Sequence, residues 1–204
     1  MNINKGWKRF MAVGCSHGMY ADPKAIEGVL KFKDRFKPHM TVHLGDFVDM
    51  TPFMSSARGK GDAVEPDIGG GLKFLDQLRP NVVLAGNHEV RLWREAASDD
   101  EIYSGYALRL INDITEHCRK RKALFVEYTG IWQAFQLANY KFTHGTVFGE
   151  NAPLTRRGAM DYANTRRATF AWSQGMVFGY YTDEKLIPWV HEQPHGQDEW
   201  ILPV

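Results

Sequence analysis

Three short apolar runs, each stopped by a glycine, constrain the fold of this chain more than any other feature. They are Phe10-Met11-Ala12-Val13 before Gly14, Thr41-Val42-His43-Leu44 before Gly45, and Val82-Val83-Leu84-Ala85 before Gly86. Short apolar runs bounded by turn residues read as buried strands. Between the first two lies DPKAIEGVLKF, a helix with Asp22 as its cap, Pro23 in its first turn, and Ile26, Val29 and Leu30 on one face. Between the second and third lies GLKFLDQL, also helical. The β-α-β-α-β order predicts an α/β domain with parallel strands. RLWREAA and SGYALRLINDITEHCRKR predict two further helices. The second has apolar positions at Leu108, Ile111 and Ile114 and a basic end, Arg119 to Lys122, suited to a helix C-terminus.

The rest of the chain is less regular. Leu124 to Thr143 holds three aromatic-rich stretches, LFVEYTG, IWQAFQLA and YKFTHG, that predict strands, with LANYKF as a hairpin. Residues 51–70, TPFMSSARGKGDAVEPDIGG, read as one loop, too long for an ordinary connection and of the kind that often carries function. After Thr155, RRGAMDYANTRRATFAWSQ predicts a basic helix and GMVFGYY a strand. Pro188, Pro194 and Pro203 interrupt the remaining C-terminal stretch. Residues 1–204 read as a single domain with a divergent tail from about residue 155.

Composition narrows the classes of function. The chain is 44% apolar, enough for a sizeable core, yet no run approaches the ~20 apolar residues that span a bilayer. The basic N-terminus lacks an apolar stretch behind it, so no signal peptide and no membrane partner are expected. A net charge of +1 provides no general attraction for nucleic acid, and only Arg156, Arg157, Arg166 and Arg167 in the tail would favour it. Two cysteines, Cys15 and Cys118, do not make a disulfide framework, and a reduced, cytoplasmic protein is expected.

Each of the three strand-like runs hands over to a polar cluster. Cys15 and His17 come after the first, Asp46 and Asp49 after the second, and Asn87, His88 and Glu89 after the third. His144 ends a later strand. In parallel sheets the strand C-termini share one edge, where ligands bind. Carboxylate, imidazole and amide oxygen are the donors that divalent cations take. A single Asp or Asn at such a turn is as readily a helix cap. Four metal-compatible clusters beside four glycines, Gly14, Gly45, Gly86 and Gly145, favour a metal site.

GDFVD at residues 45–49, GNHE at 86–89 and HG at 144–145 resemble, in order, the motifs of the calcineurin-like metallophosphoesterase family. The resemblance runs from Val13 to about Ala152. It implies an α/β fold, a β-sandwich flanked by helices in α-β-β-α layers. It also implies two divalent metal ions (Mn, Zn, Fe, Ni or Mg) at the strand ends. The activity implied is hydrolysis of a phosphomonoester or phosphodiester by a hydroxide held between the ions. By the same resemblance Asp46 bridges the two ions, His17 binds the first, and Asn87 and His144 bind the second. His88 is then not a ligand but the proton donor to the leaving oxygen, steadied by Asp49. Glu89 supports the turn or caps the following helix. Arg91 and Arg94 point either toward a substrate phosphate or onto a solvated face, and Arg91 is the substrate-binding candidate.

Two motifs depart from the family's pattern. Its first motif begins with Asp, where this chain has Cys15. Cys15 is either a thiolate ligand, which would favour zinc or another thiophilic ion, or a small buried residue at a strand end. The family's last motif is Gly-His-x-His. The matching context here, MVFGYYTDE, puts Tyr180 and Thr182 at the histidine positions, while His191 and His195 lie nearby at a different spacing. That departure motivates a second reading, a catalytically impaired member acting as a binding or scaffolding module. The other histidines read as structural: His43 packs or caps within a strand, His39 lies in a loop, and His117 is exposed on a helix.

Overall fold

A computed structural model describes residues 6–54, 64–128, 133–144, 174–193 and 202–203. The strands are β1 (Lys8–Val13), β2 (Met40–His43), β3 (Val82–Leu84), β4 (Leu124–Val126), β5 (Phe135–Leu137), β6 (Tyr140–Phe142), β7 (Gln174–Tyr181) and β8 (Leu186–Gln193). The helices are α1 (Pro23–Phe36), α2 (Val64–Leu78), α3 (Val90–Ala96) and α4 (Glu101–Lys120), with single 3-10 turns at Gly18–Tyr20 and Thr51–Phe53. One six-stranded sheet runs β4-β3-β2-β1-β7-β8. Its first four strands are parallel to one another, and β7 and β8 complete it antiparallel.

The strands alternate faces with period two, and each face buries against a different layer. Met11 and Val13 meet Val29 and Phe32 of α1 and Phe74 and Leu78 of α2. Val83 on the same face meets Leu92 of α3 and Leu110, Ile114 and Cys118 of α4. On the opposite face Phe10, Ala12, Val42, Val82 and Leu84 meet Phe135 and Phe142 of the β5–β6 hairpin. The expected sheet-on-sheet packing is therefore present, with the second sheet a hairpin among the described residues. The four helices described all lie on the other face.

Several expectations hold at residue level. Asp22 caps α1 by accepting from the Lys24 N–H at 2.9 Å. LANYKF is the β5–β6 hairpin, in register Leu137 with Tyr140. GMVFGYY falls in β7. Others are corrected. In α4, Ile114 is buried and Ile111 packs at the edge of the core as expected, but Leu108 is half exposed, and Ala107, Leu110 and Cys118 complete the buried stripe with Ile114. The expected 51–70 loop is shorter, because α2 already begins at Val64, with Glu65 and Asp67 in its first turn. Pro188 does not break a strand. It lies inside β8, an edge strand, where the missing N–H removes no ladder bond if turned outward. The basic helix expected in 156–174 falls almost wholly outside the described residues.

Candidate metal centre

Because β1, β2 and β3 run parallel, the loops after them leave one edge of the sheet. The first loop rides on the second through backbone bonds. The Cys15 N–H donates to Gly45 O at 2.9 Å, His17 to Asp46 O at 2.9 Å, and Gly18 to Phe47 O at 2.8 Å. Cys15, His17 and Asp46 all take left-handed backbone conformations, at φ 55, 51 and 55. Each costs ~1–3 kcal/mol in a non-glycine residue and persists only where its surroundings enforce it. Two glycines are required by crowding. A Cβ on Gly86 would lie 2.0 Å from Asp46 Oδ1, and one on Gly45 would lie 2.6 Å from His144 Nδ1.

The side chains converge on Asp46. Its Oδ2 lies 3.1 Å from His144 Nε2 and 3.9 Å from both His17 Nε2 and His88 Nε2. Its Oδ1 accepts from the His88 backbone N–H at 2.9 Å. His144 arrives from the opposite side, just beyond β6 of the hairpin. The Leu44 carbonyl can only accept, so at 2.8 Å it takes the His144 Nδ1–H and turns Nε2 toward the cluster. That Nε2 is 2.9 Å from Asn87 Oδ1. Cys15, His17 and Asp46 bring sulfur, nitrogen and oxygen donors within 4.8 Å of one another, and His17, Asp49 and His88 form a second such group.

Asp49 sits behind two imidazoles. Its Oδ1 is 3.1 Å from His17 Nδ1 and 3.0 Å from His88 Nδ1, and its carbonyl is 2.8 Å from His88 Nδ1. Both rings thus present their Nε2 atoms toward Asp46. Arg91 donates to the same Asp49 carbonyl and lies 3.3 Å from His88 Nε2, so it faces the centre. Arg94 is exposed.

Electrostatics follow from burial against pairing. Burial opposes ionisation of Asp46, but His144, His88 and His17 outweigh it and hold the carboxyl below its ordinary range. Burial pulls His144 down, yet its bond to Asp46 and the nearby carboxylates lift it to about 8. His88 is likewise raised against burial, chiefly by its bond to Asp49. For His17 burial wins and the ring is lowered. Burial, then the Asp46 and Glu89 charges, push the Cys15 thiol up. An imidazole nitrogen held against a carboxylate and an amide oxygen needs positive charge among them. The donors present (imidazole, carboxylate, amide oxygen and thiol) fit a divalent cation of borderline hardness.

Two carboxylates are structural supports. Glu89, expected to support its turn, does so from a fully buried position. It accepts from the N–H groups of Asp46 at 2.8 Å, of Val48 at 3.1 Å, and of Gly86. Asp67 of α2 was not expected. Its carboxylate accepts from the Asp49 and Met50 N–H groups at 3.0 and 2.8 Å, holding the second loop in place. Its one sequence signal is an acid at the start of a helix, which ordinarily marks no more than a favourable dipole.

The expected last motif is not at this edge. β7 runs antiparallel to β1, pairing Tyr180 with Arg9 and Tyr181 with Lys8, so Tyr180 and Thr182 belong to the opposite edge of the sheet. That alignment is corrected by the register. His191 pairs with Met176 on β8, two strands away from β1. His195 and the tail arginines lie outside the described residues. The remaining histidines are structural. The fully buried His43 accepts the Gly45 N–H at 3.2 Å, and His39 accepts the Arg9 N–H at 3.1 Å. His117 is not exposed as expected but faces α2, 3.0 Å from Asp76. No described helix is long and apolar enough to cross a membrane.

A search of curated proteins returns no match. The sequence profile of the calcineurin-like phosphoesterases matches residues 8–200, nearly the whole chain, and takes in every side chain of the cluster. With the motifs in the family's order and their side chains gathered at one sheet edge, the chain belongs to the calcineurin-like phosphoesterase family.

Proposed function

We propose that the chain is a metal-dependent phosphoesterase that hydrolyses a phosphomonoester or phosphodiester at the Asp46 cluster. The observation that supports this best is the convergence of three distant chain segments on the Asp46 carboxylate, with His144 at 3.1 Å and His17 and His88 at 3.9 Å. In this reading Cys15, His17 and Asp46 would hold one divalent ion, and Asp46, Asn87 and His144 would hold a second. Bound there, the ions supply Lewis acidity that activates water near neutral pH and offsets phosphoryl charge.

The rest is the work of the chain's own groups. Asp49 holds the Nδ1–H of His88 and favours its protonated form, leaving Nε2–H to protonate the leaving oxygen. Asp49 also orients His17 through Nδ1, so one carboxylate aligns a ligand and a proton donor. The Arg91 guanidinium, beside His88 Nε2, pairs with a non-bridging phosphate oxygen. Glu89 and Asp67 keep the loop backbone rigid under these groups.

The test is hydrolysis of p-nitrophenyl phosphate and its bis-ester with Mn²⁺, Zn²⁺, Ni²⁺ or Mg²⁺ added in turn. Metal-stimulated turnover is expected, and His88→Ala is expected to lower kcat by ~10²–10⁴-fold with metal affinity retained. No stimulated turnover, or turnover unchanged in His88→Ala, refutes the reading. One observation favours a second reading, a binding module that keeps a partial site: Tyr180 and Thr182 lie at the far sheet edge, and the described residues offer three donors per ion. Two bound equivalents per chain support the enzyme, and one or none the module.

A further inference from the structure

We propose that Cys15, as a thiolate, is a ligand of the ion held by His17 and Asp46, and that this half of the centre selects thiophilic ions over Mg²⁺ and Mn²⁺. The inference rests on the metal-dependent reading above and adds which ions the site takes.

Three observations lead to it. The Cys15 sulfur lies in one donor group with His17 nitrogen and Asp46 oxygen, all within 4.8 Å. The position is held by the chain, not by the side chain, since the Cys15 N–H is bonded to Gly45 O at 2.9 Å and the residue is left-handed at φ 55. The other half of the centre, Asp46, Asn87 and His144, has nitrogen and oxygen donors only. The two halves therefore differ in softness. A thiolate keeps the single negative charge of a carboxylate but binds Zn²⁺ or Co²⁺ far better than Mg²⁺ or Mn²⁺. Ligation breaks the S–H bond, forms the sulfur–metal bond and releases the proton to solvent.

The experiment is titration of the full chain, stripped with a chelator, with Co²⁺ under reducing conditions. The wild type is expected to show visible ligand-field bands together with a near-ultraviolet sulfur-to-cobalt charge-transfer band. The chain's other cysteine, Cys118, packs in the α4 core, so Cys118→Ala should keep that band. Cys15→Asp should lose it while keeping the visible bands, with folding checked by circular dichroism. Competition between Zn²⁺ and Mn²⁺ provides a second readout. A carboxylate is a harder donor than a thiolate, so Cys15→Asp should shift the Zn²⁺ to Mn²⁺ preference toward Mn²⁺. Visible bands without charge transfer in the wild type, or a band surviving in Cys15→Asp, overturn the proposal and leave the phosphoesterase reading standing. An unchanged Zn²⁺ to Mn²⁺ preference also overturns it. No cobalt binding at all overturns both.

Discussion

Asp46 shows how much one residue can be made to do when its surroundings are fixed. Its carboxylate faces three imidazoles, its N–H is held by Glu89, and its left-handed backbone needs Gly86 alongside because any Cβ there would strike Oδ1. His43, three residues earlier at the end of the same strand, has the opposite character. Burial outweighs the attraction of Asp46 and holds its imidazole at about 3, far below the ordinary 6.5. The unfolded chain then binds this proton more readily than the folded one. Stability from keeping His43 neutral is complete above pH 6.5 and is lost as the pH falls from there toward 3. The expected slope from this group is about 1.4 kcal/mol per pH unit within that window. Urea unfolding of the metal-stripped protein across the window would measure it. His43→Gln, which keeps an acceptor for the Gly45 N–H, should flatten the curve; an identical slope in the variant would show that His43 is not the group responsible.

At the scale of elements, α2 is the instructive case. Three consecutive glycines, Gly69-Gly70-Gly71, argue against a helix on propensity. Packing overrides that preference. A Cβ on Gly70 would lie 2.8 Å from Gly18 C, and one on Gly71 would lie 2.6 Å from Phe47 O, so α2 sits directly on the site loops. A Cβ on Gly69 would meet nothing within 4 Å. Three single substitutions should therefore separate in thermal or denaturant unfolding. Gly69→Ala should stabilise by up to ~1 kcal/mol through helix propensity. Gly70→Ala and Gly71→Ala should destabilise by ~1–3 kcal/mol through overpacking. Equal effects at all three positions would mean that α2 does not lie this close. The close approach also explains why Asp67 reaches the Asp49 backbone, and why an ordinary helix-start acid becomes a support for the site.

At the scale of the molecule, one sheet edge concentrates buried negative charge. Asp46, Asp49, Asp67 and Glu89 are all buried there. Burial raises the Glu89 carboxyl to about 7, the nearby Asp46 charge adding to the shift. A divalent ion bound only by the folded state should relieve this. At about 100 times its Kd, such an ion stabilises by about 2.7 kcal/mol. For a chain of this length that corresponds to a rise in Tm of roughly 5–10 °C. Differential scanning fluorimetry with Zn²⁺ or Mn²⁺, then excess chelator, reads it directly. A Tm that moves with neither addition would count against any ion in this centre.

By itself the sequence determined the parallel β-α-β-α-β order, the strand ends and the polar residues directly after them. These are local signals: apolar runs stop at glycine, helices start at a capping Asp, and the spacing of polar clusters is read directly along the chain. The gathering of His17, Asp46, Asp49, Asn87 and His88 was legible because parallel strands must deliver their C-termini to one edge, whereas His144 comes from beyond the antiparallel β5–β6 hairpin and its arrival there was decided by the packing of that hairpin on the sheet. Tertiary structure alone decided the rest. The misplaced Tyr180 shows why: a Gly-containing strand looks the same from either end, and only pairing with β1 reveals which edge each residue meets. Asp67 and the α2 glycines carry no local signature, since their role is set by contacts with loops distant in sequence. Whether Cys15 fills space or faces a cation is equally open along the chain; the tertiary structure adds that its sulfur lies within 4.8 Å of a His17 nitrogen and an Asp46 oxygen.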